Sequence, residues 1–272
     1  MPKIRVNGTE LYYEDTGGSS KETIFFSAGV FGSSRIFDDQ IGALSGRYRC
    51  VVYDHRGQGE SEITQSGYDM ETLSEDAAFL IQALDCAPVH FVGLSMGGFV
   101  GLRLGSRRQN LLKSLILLNS SSDMEIEQIA NHYKSIDRTL KWFGSKRAAS
   151  QIASVLFGKS FLNNPIHKSR LEEAEKMFGI AQRDGTRRLI TSVCERRSVY
   201  EEINRITVPV LVVAGDEDVL IPLEQTKRIH HQIADSKYVL LDQTGHYSVI
   251  EKPDTISNLI QVFLNGLRQF QS

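Results

Sequence analysis

Cysteine is scarce in this chain. Cys50, Cys86 and Cys194 are three in 272 residues. They are odd in number and widely spaced, which excludes a disulfide framework and a CxxC metal or redox pair. Reduced thiols in a cytoplasmic protein are the expectation. Long apolar runs are missing too: none approaches the roughly 20 residues that a membrane-spanning helix needs. The start, Met1-Pro2-Lys3-Ile4-Arg5-Val6, leads into Glu10, Glu14 and Asp15 without the apolar segment of a secretory signal. Charge of one sign is nearly absent, since 31 basic and 33 acidic residues leave a net −2. A polyanion-binding surface is therefore not expected. No internal repeat, low-complexity tract or Pro-rich linker breaks the chain. What remains is an ordinary globular composition, 41% hydrophobic and 24% charged, long enough for one α/β domain with an insertion.

The apolar pattern gives the organisation. Residues 4–6 and 11–15 flank Asn7-Gly8, a hairpin turn signal. Short β-rich apolar runs at 23–28, 49–53, 89–92, 115–118, 210–214 and 238–241 read as buried strands. Helical patterns at 36–44, 70–84, 99–107, 223–233 and 255–267 lie between or after them. Strand and helix alternate, so a mostly parallel doubly wound sheet is predicted, with an antiparallel hairpin first. The alternation stops between residues 121 and 202. There the sequence offers only charged helical patterns, at 126–139, 147–157, 168–182 and 187–199. That is too long for a connection, so a helical sub-structure inserted between two core strands is expected.

The chemistry starts at Gly93-Leu94-Ser95-Met96-Gly97, a Gly-x-Ser-x-Gly string directly after one strand and before a helix. A serine on such a sharp turn presents its hydroxyl outward, and glycines two before and two after leave room. The helix that follows aims free N–H groups at whatever the serine attacks. An alcohol needs a base, and the base an orienting acid. Two later strands run into loops with these groups, Gly215-Asp216-Glu217-Asp218 and Thr244-Gly245-His246. Both lie at carboxyl ends of strands, where open α/β sheets place their sites. Asp218 is the preferred acid, with Asp216 a competitor that turn chemistry also explains. His246 is the preferred base. His55, after Asp54 at another strand end, is its rival, while His90, His132, His167, His230 and His231 have no such placement. The two oxyanion donors are expected from the backbone of Met96 and from Val30, in the loop Ala28-Gly29-Val30-Phe31-Gly32.

Four strings in register now resemble the α/β-hydrolase superfamily: Asp54-His55-Arg56-Gly57-Gln58-Gly59-Glu60-Ser61, Gly93-Leu94-Ser95-Met96-Gly97-Gly98, Gly215-Asp216-Glu217-Asp218 and Gly245-His246. The resemblance spans nearly the whole chain. It implies an eight-stranded α/β-hydrolase fold with a core at 1–120 and 203–272 and a helical cap at 121–202. It implies Ser95 as nucleophile, Asp218 as acid, His246 as base and His55 as a structural residue. Within the superfamily the chain looks most like the cofactor-free group of 3-oxoadipate enol-lactonases, small-ester hydrolases, C–C bond hydrolases and perhydrolase-type haloperoxidases. Epoxide hydrolases and haloalkane dehalogenases are similar, but carry an aspartate where this chain has Ser95. One departure stands out. Many relatives have His-Gly in the oxyanion loop, where this chain has Ala28-Gly29.

The implied function is hydrolysis of a small ester or lactone through an acyl-enzyme, with no cofactor and no metal. The implied partner is the small-molecule substrate, not nucleic acid or membrane, and the protein is expected as a monomer or homodimer. C–C hydrolysis of a ring-cleavage product and a ligand-receptor role on the same fold are the alternatives. Phe31, Phe37, Met96, Val219, Leu220 and Tyr247 flank the site in sequence, and Trp142, Phe143 and Phe157 of the cap are candidates to close it. Lys134, Arg138, Lys141, Lys146 and Arg147 in the cap are candidates for pairing with a substrate carboxylate, although each also suits a solvated face.

Overall fold

The computed structural model describes residues 2–18 and 21–269. Asn7 and Gly8 both take positive φ (45° and 76°), as a tight two-residue turn requires. They join β1 (Lys3–Val6) to β2 (Thr9–Asp15) as an antiparallel hairpin. Then come β3 (Thr23–Ser27), α1 (Asp38–Leu44), β4 (Arg49–Tyr53), α2 (Met70–Ala83) and β5 (Val89–Leu94). They are followed by α3 (Met96–Arg107) and β6 (Leu112–Leu118). The eight-stranded sheet has the order β1-β2-β4-β3-β5-β6-β7-β8, where β7 is Val210–Gly215 and β8 is Ser236–Leu241. β2 runs antiparallel to β4, and β4, β3, β5, β6, β7 and β8 are mutually parallel. This is the mostly parallel sheet, opened by an antiparallel hairpin, that the apolar pattern predicts.

Burial explains the sequence pattern. Every residue of β3, β5 and β7 is buried, because helices cover both faces of a parallel sheet and no position can remain polar for solvent. Edge strand β8 is only partly buried, which is why its apolar run is the weakest of the six.

Five helices stand between β6 and β7: α4 (Glu127–Phe143), α5 (Ser145–Leu156), α6 (Lys159–Asn163), α7 (Lys168–Gly179) and α8 (Arg183–Glu195). Each of α4, α5 and α8 buries one stripe, for example Ile129, Tyr133, Ile136 and Leu140 of α4, the spacing of an amphipathic helix. The chain closes with α9 (Leu223–Gln232), α10 (Ser248–Glu251) and α11 (Pro253–Gln269). Among the described residues no helix is long and apolar enough to cross a membrane.

Candidate active site

Ser95 ends β5 and caps α3 with φ 53° and ψ −114°. A non-glycine residue there stores strain on the order of 1–3 kcal/mol, held in place by close packing on both sides. A β carbon on Gly93 would strike the Gly97 carbonyl, and one on Gly97 would strike the Ser27 carbonyl. The Ser95 N–H donates to Leu118 O at 2.9 Å, and Ser95 O accepts from Gly98 N at 2.8 Å and Ser120 Oγ at 3.0 Å. Met96 is the first helical residue, and its N–H has no acceptor among the described residues.

The expected acid and base, Asp218 and His246, lie in the loops that follow β7 and β8. His246 Nδ1 donates to Asp218 Oδ2 at 2.9 Å, and both side chains are almost fully buried. The other Asp218 oxygen accepts the N–H groups of Leu220 (2.8 Å) and Ile221 (3.0 Å). Oδ2 also takes Asn119 Nδ2 at 3.0 Å. Four donors thus satisfy one buried carboxylate, the condition for burying a charge. Asp216 is used otherwise: its Oδ1 accepts the Thr244 N–H at 3.1 Å and so joins the two loops. His55 is sealed among Ser27 Oγ (3.0 Å) and Tyr53 Oη (3.3 Å). Burial pushes its pKa down to about 3, which removes it as a base at neutral pH.

Several residues that sequence reasoning passed over tie these parts together. Asn119, at φ 48° just past β6, donates to Asp218 and to Gly245 O (3.1 Å) and accepts from Ser248 Oγ (2.7 Å). Its neighbour Ser120 holds the Ser95 turn, so the end of β6 bridges Ser95 and Asp218. Glu251 accepts the Gly245 N–H on both oxygens (3.1 and 3.0 Å) and the Gly158 N–H at 3.2 Å. Desolvation raises its pKa from the ordinary 4.5 to about 7. The only advance signal for Asn119 was its place at a strand end; Glu251 gave none.

Oxyanion-loop geometry follows from Gly29. A β carbon there would lie 3.3 Å from Ser95 Cβ and 3.6 Å from Tyr247 Oη, so this loop sits in close contact with Ser95, and a larger residue would have to push it back by a few tenths of an ångström. The Val30 N–H makes no hydrogen bond among the described residues. The Phe31 N–H faces the Tyr247 hydroxyl without closing to a full hydrogen bond.

The expected pocket residues separate into three groups. Phe31 stacks on Tyr133 of α4 at 6.0 Å, and Phe157 meets Tyr247 edge-on at 6.1 Å. Met96 and Leu220 are buried beside the catalytic loops, while Val219 is half exposed. Phe37 is a core residue packed on Phe26 at 5.0 Å. Trp142 and Phe143, expected at the pocket, instead end α4 at 71% and 68% exposure; Trp142 faces away from the buried stripe, and Phe143 stands in line with it but beyond its last buried residue, Leu140. Lys134, Arg138, Lys141, Lys146 and Arg147 are all exposed as well. The buried cation of the helical segment is Arg196, paired with Glu125 at 2.6 Å and lying 4.2 Å over the Phe99 ring. Among the described residues no group of three or more His, Cys, Asp or Glu is placed to hold a metal ion.

Comparison with known proteins gives a consistent picture. The family model described as alpha/beta hydrolase fold matches residues 22–253. A protein of Pseudomonas syringae named carbamate hydrolase RutD is 28% identical over 244 residues, covering 89% of this chain and 93% of its own. A protein of Mycobacterium tuberculosis named non-heme bromoperoxidase BpoC is 25% identical, with 95% and 98% covered. Among solved structures, the enol-lactonase of Burkholderia xenovorans superposes with a TM-score of 0.89 at 26% identity, covering 97% of this chain and all of its own.

Proposed function

We propose, from the premise that this chain belongs to the α/β-hydrolase family, that it is a serine hydrolase cleaving a small ester or lactone through an acyl-enzyme. The observation that carries this reading is the buried Asp218–His246 pair, whose carboxylate is saturated by four donors. Accepting from Nδ1, Asp218 fixes the tautomer that leaves Nε2 to take the Ser95 proton, and it stabilises the imidazolium that results. Ser95 Oγ then attacks the carbonyl carbon. The developing oxyanion is received by the free N–H groups of Val30 and Met96. His246 returns the proton to the leaving alcohol, and water repeats the sequence to release the acid.

Two of the three relatives described are named for a carbamate and an enol-lactone, both acyl carbons bonded to a heteroatom, which supports acyl transfer as the reaction class; the third is named for a bromoperoxidase. Phe31, Tyr133, Phe157, Leu220 and Tyr247 are apolar or aromatic walls, which favours an apolar acyl group. The exposed cap cations do not favour a carboxylated one. Residues 121–202 act as the cap over the core at 1–120 and 203–272. Ser95 is 2% and His246 1% exposed, so a substrate enters by displacing part of this cover. A cleft of about 360 Å³ between Phe31 and Ser34 of the oxyanion loop and Met177 and Ile180 of the cap is the route proposed.

The test is hydrolysis of a panel of p-nitrophenyl esters, lactones and carbamates, with fluorophosphonate labelling. Ser95→Ala is expected to lower kcat on the order of 10⁶-fold and to abolish labelling. Undiminished labelling of Ser95→Ala refutes the reading.

A further inference from the structure

Gln58 belongs to neither the triad nor the pocket, yet it makes a pair of hydrogen bonds with a consequence for catalysis. Its side chain is buried, and Nε2 donates to two consecutive carbonyls, Gly29 O at 2.8 Å and Val30 O at 2.7 Å. Carbonyl oxygens only accept, so the amide nitrogen is the end that faces them. Oε1, on the other side, has no partner.

In a trans peptide the C=O and the N–H point in opposite directions. The only cis bond among the described residues is Ala87–Pro88, so both loop peptides are trans. Drawing Gly29 O to Gln58 therefore turns the Val30 N–H away from Gln58. Drawing Val30 O the same way turns out the Phe31 N–H, which faces Tyr247 Oη. Among the described residues the Val30 N–H has no acceptor, and Gly29 sits close to Ser95, where an added β carbon would come within 3.3 Å of Ser95 Cβ. Gly29 O also accepts the Gly32 N–H at 3.0 Å, so without Gln58 a single turn bond would hold this peptide against flipping, and glycine imposes little steric preference on it. A flipped peptide would aim a carbonyl oxygen at the oxyanion. Ala28 stands where many family members carry a histidine, and a methyl group supplies no donor.

We propose that Gln58 is the positioning residue of the oxyanion hole, holding the Gly29–Val30 peptide in the one orientation that presents the Val30 N–H to the substrate carbonyl. Gln58 is itself anchored. Its N–H donates to His55 O at 2.9 Å and its carbonyl accepts from Ser61 N at 2.9 Å. The Asp54 carboxylate of the same loop accepts the Ser34 N–H at 2.6 Å. The two loops are thereby joined at both ends of the oxyanion segment. This inference rests on the serine-hydrolase reading.

The experiment compares wild type with Gln58→Met, which keeps the length and loses the donor, and Gln58→Glu, whose carboxylate repels both carbonyls. Rates are expressed per Ser95 site titrated to completion with a fluorophosphonate. kcat for p-nitrophenyl acetate is expected to fall on the order of 10²-fold, with KM within about threefold. Affinity for an aryl trifluoromethyl ketone, whose hemiketal oxyanion occupies the hole, is expected to fall by a similar factor. kcat per titrated site unchanged in both variants overturns the proposal, whatever happens to the melting temperature. Equal losses in KM and kcat with unchanged ketone affinity overturn it as well. Wild-type protein that neither hydrolyses the panel nor takes the phosphonate overturns the serine-hydrolase reading, and this inference falls with it.

Discussion

The two halves of the site are built by different physics. The wall made by the sheet is directional. Asp218 takes four hydrogen bonds, Asn119 makes three, Gln58 pins two carbonyls, and Ser95 is held by its own backbone. The wall made by the helices between β6 and β7 is mostly rings: Tyr133 on Phe31, and Phe157 and Phe178 on Tyr247. It is tied to the core by polar contacts as well: Arg170 pairs with Asp39, Gln182 donates to the Gly59 and Ser61 carbonyls, and Arg188 donates to Thr64 O. Leu156 O accepts the Tyr247 N–H at 2.9 Å, Glu217 takes Ser160 Oγ at 2.6 Å, and Glu251 takes the Gly158 N–H. Hydrogen bonds fix direction and lose their value within a few tenths of an ångström. Apolar contact is non-directional and tolerates sliding. One wall is therefore fixed mainly by direction, the other mainly by the packing of rings.

The comparison breaks first at the acid. Asp218→Asn is expected to lower kcat about 10⁴-fold because it corrupts the His246 tautomer, whereas Asp216→Asn, which only loosens one loop bond, is expected to leave kcat within tenfold. Steady-state kinetics on both variants reads the difference, and equal losses would assign the acid role wrongly. The ring wall is tested next. Phe157→Ala removes a buried ring and is expected to destabilise the fold by about 3–5 kcal/mol. Trp142→Ala, on the exposed end of α4, is expected to stay within about 0.5 kcal/mol. Denaturant unfolding of both checks this, and a large loss at Trp142 would put that side chain inside.

The smallest effect probes the polar staple between the walls. The Glu251 pKa is raised from 4.5 to about 7 in the folded protein. The folded state then holds the proton more tightly than the unfolded chain. The stability this contributes is full below pH 4.5 and is lost as pH rises through about 7. The stability of wild type relative to Glu251→Gln is expected to fall over that window by on the order of 3 kcal/mol. Urea melts at several pH values measure it; a flat difference would mean that Glu251 stays ionised throughout.

Legibility in the sequence follows the range of the interaction concerned. Asn7-Gly8, the buried β runs and the Gly-x-Ser-x-Gly turn express local backbone preference and the side-chain period, so hairpin, parallel sheet and elbow could be read directly. That Ser95, Asp218 and His246 each stand in a short loop after a strand could be read from the apolar pattern. The helical region was legible as helix, but not which of its aromatics turn inward. Trp142, Phe143 and Phe157 look alike in sequence, yet the first two, at the end of α4, are exposed while Phe157 packs on Tyr247. Val30 could be named as a donor from its loop, but nothing local fixes the direction of its N–H. That direction depends on Gln58, 28 residues away, just as Asp218 depends on Asn119 and Gly245 on the Glu251 carboxylate. The sequence by itself determined which groups exist and which strand carries each. Only the tertiary structure decided how they point, because orientation is set by hydrogen bonds between segments that no local periodicity connects.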